Sequence, residues 1–411
     1  MDNALEYVVY PFLFLALYFE VFLVVTLFER ESRRRRKLTA PLVFPSVSII
    51  VPCYNEEKTV AATTDSVLAL DYPKEKLSVI LVNDGSIDKT AKAVERYRGN
   101  PQVTIIHKKN GGKYTALNAG ITASTSEFIG CLDADSFVSP GALKLVMANF
   151  DEERIGAVTS SMSVNQPTNI IEKMQEAEYL MGVAMRHTLA IWNGLYVTPG
   201  PFTIYRKKAF DKIGLFKPAH NTEDLEIALR LQRGGWKIQN APAAGVYTNA
   251  PKTVRGLVKQ RVRWTTGFMR NAFDYRDLVG NPSHGVLGLL VLPIAAIFVF
   301  AGVGLFGIST FQFIHSLWTF AVHTSEVPLS FTLTPHIPDW FYVPSSALLF
   351  PSGMMLAMAI GLIFVGAAIA RKKTNFGMSL VWYFIAYTFI AVWWRVRAIA
   401  DVAFGIRRSW R

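Results

Sequence analysis

Cysteine is almost missing from this chain of 411 residues, which carries only Cys53 and Cys131. Two thiols cannot build a disulfide framework, and both lie in apolar, strand-like runs away from any metal-ligand spacing. Acidic residues are also scarce, 31 against 43 Lys and Arg, for a net charge of +12. Much of the basic surplus sits at 33–37, 371–373 and 395–411, each beside an apolar stretch. Basic charge next to a hydrophobic span attracts anionic headgroups and sets topology, so it points to membrane lipids as partners. No nucleic-acid motif is present, which excludes nucleic acid. The P-loop spacing is missing too, although paired glycines and a lysine occur at Gly111-Gly112-Lys113, so a P-loop nucleotide triphosphatase is excluded.

What is abundant is long apolar sequence. Residues 7–28 match the thickness of a bilayer and lack a small-residue cleavage site, which predicts a retained transmembrane helix. Three further apolar stretches at 286–306, 348–370 and 376–394 are each of spanning length. Residues 309–344 contain no Lys or Arg, whereas 371–373 are all basic. The charge rule therefore places that connector outside, the N-terminus outside, and the domain between the first two spans in the cytoplasm. Three C-terminal spans would put Arg407, Arg408 and Arg411 outside, against the same rule. A re-entrant last segment, or an additional span around 311–322, would bring the tail inside. The expected plan is a transmembrane helix at 7–28, an α/β domain at 46–249, amphipathic interface helices at 250–282, and a transmembrane region of about three helices at 285–400. Such a chain is an integral protein of the plasma membrane.

In the polar half, runs at 47–51, 77–82, 103–107, 128–132 and 157–160 read as strands buried on both faces, with amphipathic stretches such as 60–70 and 89–97 between them. This βαβ rhythm predicts an α/β, Rossmann-like, mainly parallel sheet, whose ligand lies at the carboxyl ends of the strands.

Those ends are where the chemistry collects. The first strand runs into Val51-Pro52-Cys53-Tyr54-Asn55-Glu56-Glu57, and the second into Asn83-Asp84-Gly85-Ser86 with Asp88 following. Taken singly these are ordinary helix starts and an Asp-Gly turn. The stretch 108–113 puts two glycines and Lys113 at a loop entering a helix, which suits a diphosphate. The fourth strand ends in Asp133-Ala134-Asp135, two carboxylates that repel unless a cation such as Mg²⁺ or Mn²⁺ sits with them; a solvated turn is the alternative. In Asn221-Thr222-Glu223-Asp224, Thr222 or Asn221 caps a helix, and Asp224 stays available as a general base. Gln260-Arg261-Val262-Arg263-Trp264 lies in a basic amphipathic segment at 253–275. That segment reads as a membrane-surface helix, or as a place where Arg263 meets a departing diphosphate and the indole meets a sugar ring.

In this order the motifs resemble the membrane-integrated, processive branch of the inverting family-2 glycosyltransferases with a GT-A fold. That branch includes the cellulose, chitin, hyaluronan and poly-N-acetylglucosamine synthases and the nodulation-factor chitooligosaccharide synthases. One span before the domain and three after it are closer to the chitooligosaccharide and poly-N-acetylglucosamine synthases than to the cellulose synthases. The resemblance implies that Tyr54, Glu56 and Asp84 bind uridine and that Lys113 lies near the nucleotide. It implies that Asp133 contacts the nucleotide, that Asp135 holds Mg²⁺ or Mn²⁺, and that Asp224 of Thr-Glu-Asp is the catalytic base. Glu223, Gln260, Arg263 and Trp264 would serve the diphosphate and acceptor, as would Gly200 of Pro199-Gly200-Pro201-Phe202 by a looser match. The implied activity is transfer from a UDP-sugar, with UDP-N-acetylglucosamine the first choice, onto a growing β-linked polysaccharide that is exported across the membrane. Transfer of one sugar to a polyprenyl phosphate or glycolipid is the alternative. A small accessory subunit or a homo-oligomer would complete a channel. A scaffold without catalysis would be expected to lose its acids, yet Asp84, Asp133, Asp135 and Asp224 are all present.

Overall fold

The computed structural model describes residues 2–33, 44–326 and 349–406. The basic run after residue 33, linker residues 41–43, connector residues 327–344 and Arg407, Arg408 and Arg411 lie outside the described residues.

The chain begins with α1 (Asp2–Arg33) and enters the alternating part with β1 (Val47–Cys53), α2 (Val60–Leu68), β2 (Leu77–Asp84), α3 (Thr90–Glu95), β3 (Val103–Lys108), α4 (Lys113–Ala123) and β4 (Phe128–Cys131). Four of the predicted strands are here, and β1 and β4 are apolar and buried along almost their whole length because helices cover both faces. The domain continues through β5 (Ser136–Val138), α5 (Ala142–Met147), β6 (Ile155–Val164), α6 (Ile170–Ile191), β7 (Thr203–Arg206), α7 (Lys207–Ile213), α8 (Glu223–Arg233) and β8 (Lys237–Thr248). One sheet of eight strands results, in the order β3-β2-β1-β4-β7-β6-β8-β5. The first four strands are parallel, while β7 runs antiparallel between β4 and β6, and β5 antiparallel beside β8. The α/β, mainly parallel reading therefore holds. The strand order reverses at β1, between β2 and β4, which opens a crevice at their carboxyl ends.

After the sheet come α9 (Val254–Asp274), α10 (Leu292–Glu326), α11 (Leu349–Ile369), α12 (Met378–Trp382) and α13 (Thr388–Ala403). Among the described residues four helical segments are long and apolar enough to cross a membrane: Val9–Phe28, Leu287–His323, Phe350–Ile369 and Met378–Ala403. The stretch at 311–322, weighed above as an additional span, is instead the continuation of α10. At 1.5 Å per residue the 37-residue segment is about 55 Å long. That exceeds the roughly 30 Å of a hydrocarbon core.

The core does not stop at the domain boundary. One apolar cluster joins Ile50, Leu117 and Ile227 of the domain to Leu23 of α1 and Leu292 of α10. Another joins Leu180 of α6 and Leu257 of α9 to Ile363 of α11 and Trp394 of α13. The contact between α6 and α11 is backbone on backbone, because a Cβ at Gly366 would lie 1.9 Å from the carbonyl oxygen of Leu180. Gly366→Ala is therefore expected to cost about 1–3 kcal/mol by overpacking and to lower the melting temperature of the detergent-solubilised protein. An unchanged melting temperature would mean that the two helices have room to part.

Candidate active site

The loop after β1 is tied to the loop after β2. Asn55, with φ of 56°, donates its N–H to Ser86 Oγ (3.1 Å) and accepts the Ile87 N–H at Oδ1 (3.0 Å). The Glu56 N–H donates to Thr90 Oγ1 (2.7 Å), and Glu57 Oε2 accepts the Lys89 N–H (2.9 Å). The two segments that looked like separate turns are one braced edge presenting Tyr54 and Glu56 to a cavity.

Asp84 ends β2 and is buried. Its Oδ1 accepts from Lys108 Nζ (2.5 Å) and the Gly111 N–H (3.1 Å), and its Oδ2 accepts the Gly112 N–H (3.0 Å). The carboxylate thus fixes the glycine loop that leads into α4. Gly112 itself has φ of 90°, where a side chain is strained.

Lys113 is the first residue of α4, and its ammonium meets Asp133 Oδ1 at 2.5 Å and Glu223 Oε1 at 3.5 Å. Burial opposes that charge, but the carboxylates of Asp133, Glu223 and Asp224 outweigh it and hold the ammonium protonated. Gly200 stands over this pair, where a Cβ would come within 2.8 Å of Asp133 Oδ2 and 2.9 Å of Lys113 Nζ. Burial, then Asp133 and Glu56, push the Asp135 carboxyl well above the usual carboxylate range.

Asp224 lies in the first turn of α8, and its Oδ1 accepts the Leu225 N–H (3.0 Å). Burial, then neighbouring Glu223, push its carboxyl up to about 6 against the pull of Lys113 and Arg263. Thr222 occupies the N-cap position, but its hydroxyl does not cap the helix. That part of the sequence reading is corrected: Thr222 Oγ1 donates to the Ala219 carbonyl (3.1 Å) and accepts from Asn271 Nδ2 (2.9 Å). The reason is α9, which lies against this loop and claims the hydroxyl. Along α9, Arg263 Nη1 donates to the Asn221 carbonyl (2.8 Å) and Asp274 pairs with His220 (2.9 Å). A Cβ at Gly267 would lie 2.3 Å from Thr222 Oγ1. The loop needs this support, since Ala219, His220 and Asn221 all have positive φ, 41°, 53° and 63°.

All twelve sequence-predicted residues line one cavity of about 920 Å³: Tyr54, Glu56, Asp84, Lys113, Asp133, Asp135, Gly200, Glu223, Asp224, Gln260, Arg263 and Trp264. The motif reading missed residues of the same wall. Arg261 donates to Gln260 Oε1 (2.9 Å), pairs with Glu178 of α6, and places its guanidinium 4.1 Å over the Trp264 ring. Tyr387, in the candidate span Met378–Ala403, donates to Glu178 Oε2 (2.5 Å). Arg186 of α6 lines the cavity as well. The signal for the α6 residues was the pair of charged side chains Glu178 and Arg186, eight residues apart and so on the same side of a largely apolar helix.

Among the described residues no group of three His, Cys, Asp or Glu converges to hold a metal unaided. Two carboxylates from one strand end, one of them neutralised by Lys113, suit a cation that takes its remaining oxygens from phosphate and water.

Residues 48–214 match the model of the glycosyl transferase family 2 domain. The chain is 33% identical over 266 residues to the poly-beta-1,6-N-acetyl-D-glucosamine synthase of Staphylococcus aureus strain COL. It is 31% identical over 264 residues to the enzyme of the same name from Staphylococcus epidermidis strain RP62A. In both cases the match covers 63% of this chain and 63% of the relative, so the chain spans less than two thirds of the length of these relatives. Among solved structures, the mannosyltransferase PcManGT from Pyrobaculum calidifontis, in complex with GDP-Man and Mn²⁺, aligns with a TM-score of 0.61 at 19% identity. That alignment covers 98% of this chain and 99% of the other, and it establishes a shared fold.

Proposed function

Because residues 48–214 match the model of the glycosyl transferase family 2 domain and, among the described residues, four helical segments are long and apolar enough to cross a membrane, we propose that the chain transfers sugar from a UDP-sugar to a growing β-linked polysaccharide. The observation that carries this reading is the convergence of seven separated segments on one cavity at the carboxyl ends of β1, β2 and β4. UDP-N-acetylglucosamine is the favoured donor, on the likeness to synthases named for that sugar.

Tyr54 and Glu56 border the nucleotide pocket, and Asp84 shapes it by holding the glycine loop against Lys108. The diphosphate faces the N-terminus of α4 and Lys113. Asp135 would hold Mg²⁺ or Mn²⁺, with Asp133 held by Lys113 towards the donor, and the bound cation supplies charge neutralisation of the leaving diphosphate. The likeness in fold to a mannosyltransferase solved with Mn²⁺ supports that choice. Asp224 takes the proton from the acceptor hydroxyl as its oxygen attacks the anomeric carbon, and Arg263 with Lys113 stabilises the departing UDP. Attack opposite the leaving group inverts the anomeric centre, so an α-linked donor gives a β-linked product. Gln260, Trp264 and Glu223 border the acceptor side, with Gly200 leaving room over Asp133. The basic residues at 371–373 favour a cytoplasmic catalytic domain in the plasma membrane, with the spans passing product outward.

Asp84→Asn keeps the shape and removes the charge that holds Lys108 and two backbone N–H groups. Nucleotide affinity is expected to fall about tenfold, read by calorimetric titration with UDP. An unaltered affinity would leave Asp84 a part of the fold alone.

The decisive experiment is nucleotide release by the purified protein in nanodiscs with Mg²⁺ or Mn²⁺ against a panel of nucleotide sugars. Metal-dependent release with UDP-N-acetylglucosamine, accompanied by a glycosidase-sensitive polymer, is the expected result. No release with any donor would overturn the reading, and a single sugar added to lipid would overturn chain growth.

A further inference from the structure

Among the described residues seven carboxylates line the catalytic cavity, and the proposed chemistry uses six of them. The seventh is Glu178 of α6, half-buried and lining the same cavity as Gln260, Arg261 and Trp264 of α9. Its Oε2 accepts from Arg261 Nη2 and from the hydroxyl of Tyr387 (2.5 Å). That hydroxyl in turn accepts from Nε and Nη2 of Arg261, 3.3 Å from each. Arg261 is buried, and it carries the contact onward: Nη1 donates to Gln260 Oε1 (2.9 Å), and the guanidinium lies 4.1 Å over the Trp264 ring.

The helices do not need this network to stay together. Leu257, Val258 and Val262 of α9 already pack with Met174, Ala177 and Leu180 of α6 in one apolar cluster. A buried ion pair is a poor bolt compared with hydrocarbon of the same volume, because both charges give up water to form it. What it supplies is direction. A planar guanidinium fixed by a carboxylate and a phenol cannot turn, so the two side chains it touches are fixed with it. With its oxygen held by Arg261, the Gln260 amide has its two N–H groups to offer, and their complement is an oxygen such as a sugar hydroxyl. The indole is held by the cation on its ring.

We propose that Glu178 is a positioning residue for the sugar acceptor, acting through Arg261 to aim the amide of Gln260 and the indole of Trp264, with Tyr387 holding Glu178 in turn. The assignment rests on the transferase reading for the use of this wall. A growing chain is kept between transfers by the side chains that touch it, so Glu178 acts on how long the chain stays and not on the nucleotide.

The test compares wild type, Glu178→Gln and Tyr387→Phe as full chains in nanodiscs, by the length of the product made from the donor that the wild type uses and by calorimetric titration with UDP. Product length follows the ratio of transfer to chain release, so a loosened acceptor shortens the product with no matching loss of nucleotide affinity. The expected result is product about tenfold shorter in Glu178→Gln and about threefold shorter in Tyr387→Phe, with UDP affinity within about twofold of wild type. In a Gln260→Ala background, Glu178→Gln is expected to shorten the product less than it does alone, because part of its effect runs through that amide. Wild-type product length in a Glu178→Gln protein that binds UDP would overturn the assignment. So would a fall in UDP affinity in step with length, or full additivity with Gln260→Ala. Should Glu178→Gln fail to fold, Tyr387→Phe decides alone, since phenylalanine keeps the ring and the ion pair, and full-length product from it overturns the assignment. A wild type that elongates nothing overturns chain growth and this assignment together, whereas an active wild type with an unaltered Glu178→Gln overturns this assignment only.

Discussion

Asp224→Asn is expected to abolish transfer while leaving the protein folded and able to bind nucleotide, with a rate loss of about 10²- to 10⁴-fold. Asparagine keeps an oxygen for the Leu225 N–H and cannot take the acceptor's proton. The wild-type rate should follow the same group. With the Asp224 carboxyl held up to about 6, first by burial and then by Glu223, activity falls as pH drops through that value. The loss below it is about tenfold per pH unit. Between 3.8 and about 6 the folded chain holds a proton that the unfolded chain has released, so this residue's contribution to stability declines as pH rises through that window. Asp224→Asn should therefore melt at or above the wild type at pH 7, in contrast to a variant that is inactive because it is damaged. A pH profile unchanged above and below 6, or a variant that transfers at wild-type rate, would remove Asp224 from the chemistry.

Gly267→Ala is expected to do nearly as much damage without touching an ionisable group. The added methyl would come within 2.3 Å of both Oγ1 and Cγ2 of Thr222, two residues before Asp224. Neither side has slack. On one side lie three residues in left-handed conformation, and on the other the N-terminus of α8 in a buried setting. The loop must shift, and a displacement of about 1 Å at a reacting group can cost on the order of 10²-fold in rate. The expected signature is a fall in turnover with little change in UDP affinity, since the edge proposed to take the nucleotide is braced separately by Asn55, Ser86 and Asp84. A fall in UDP affinity to match would mean that α9 supports the whole cavity and not this loop alone.

Much of the first half of the fold is legible in the sequence because its strands are apolar on both faces and each ends abruptly in polar residues. The runs at 47–51, 77–82 and 128–132 each lead into an acidic loop, and the sheet aligns those loops because the strands are parallel. The second half hides itself. β8 contains Asn240, Pro242 and Gly245, residues that read as turn formers, and it is a strand only because β6 and β5 pair with it across a bulge. β5 and β7 are three and four residues long, too short for any period to show. At the site, carboxylates and the lysine announce themselves by type and spacing, whereas the contact of α9 with the Thr222 loop depends on a missing side chain at Gly267. Arg261, at the second position of Gln260-Arg261-Val262-Arg263-Trp264, looks interchangeable in sequence, yet it joins α9 to Glu178 and lies over Trp264. A motif shows which residues carry charge. The distances between elements far apart in the chain show what that charge is held against.

The bare contact of Gly366 with the Leu180 carbonyl joins a bilayer helix rigidly to the helix that carries Glu178 and Arg186. Lipids with longer tails force a spanning helix to tilt less, and shorter tails force it to tilt more. With no side chain between the two backbones to absorb the motion, α6 must turn with α11, and the wall of the cavity turns with it. Membrane thickness thereby becomes a setting of the catalytic chamber, and the same protein reconstituted in thin and thick bilayers should work at different speeds on the same donor.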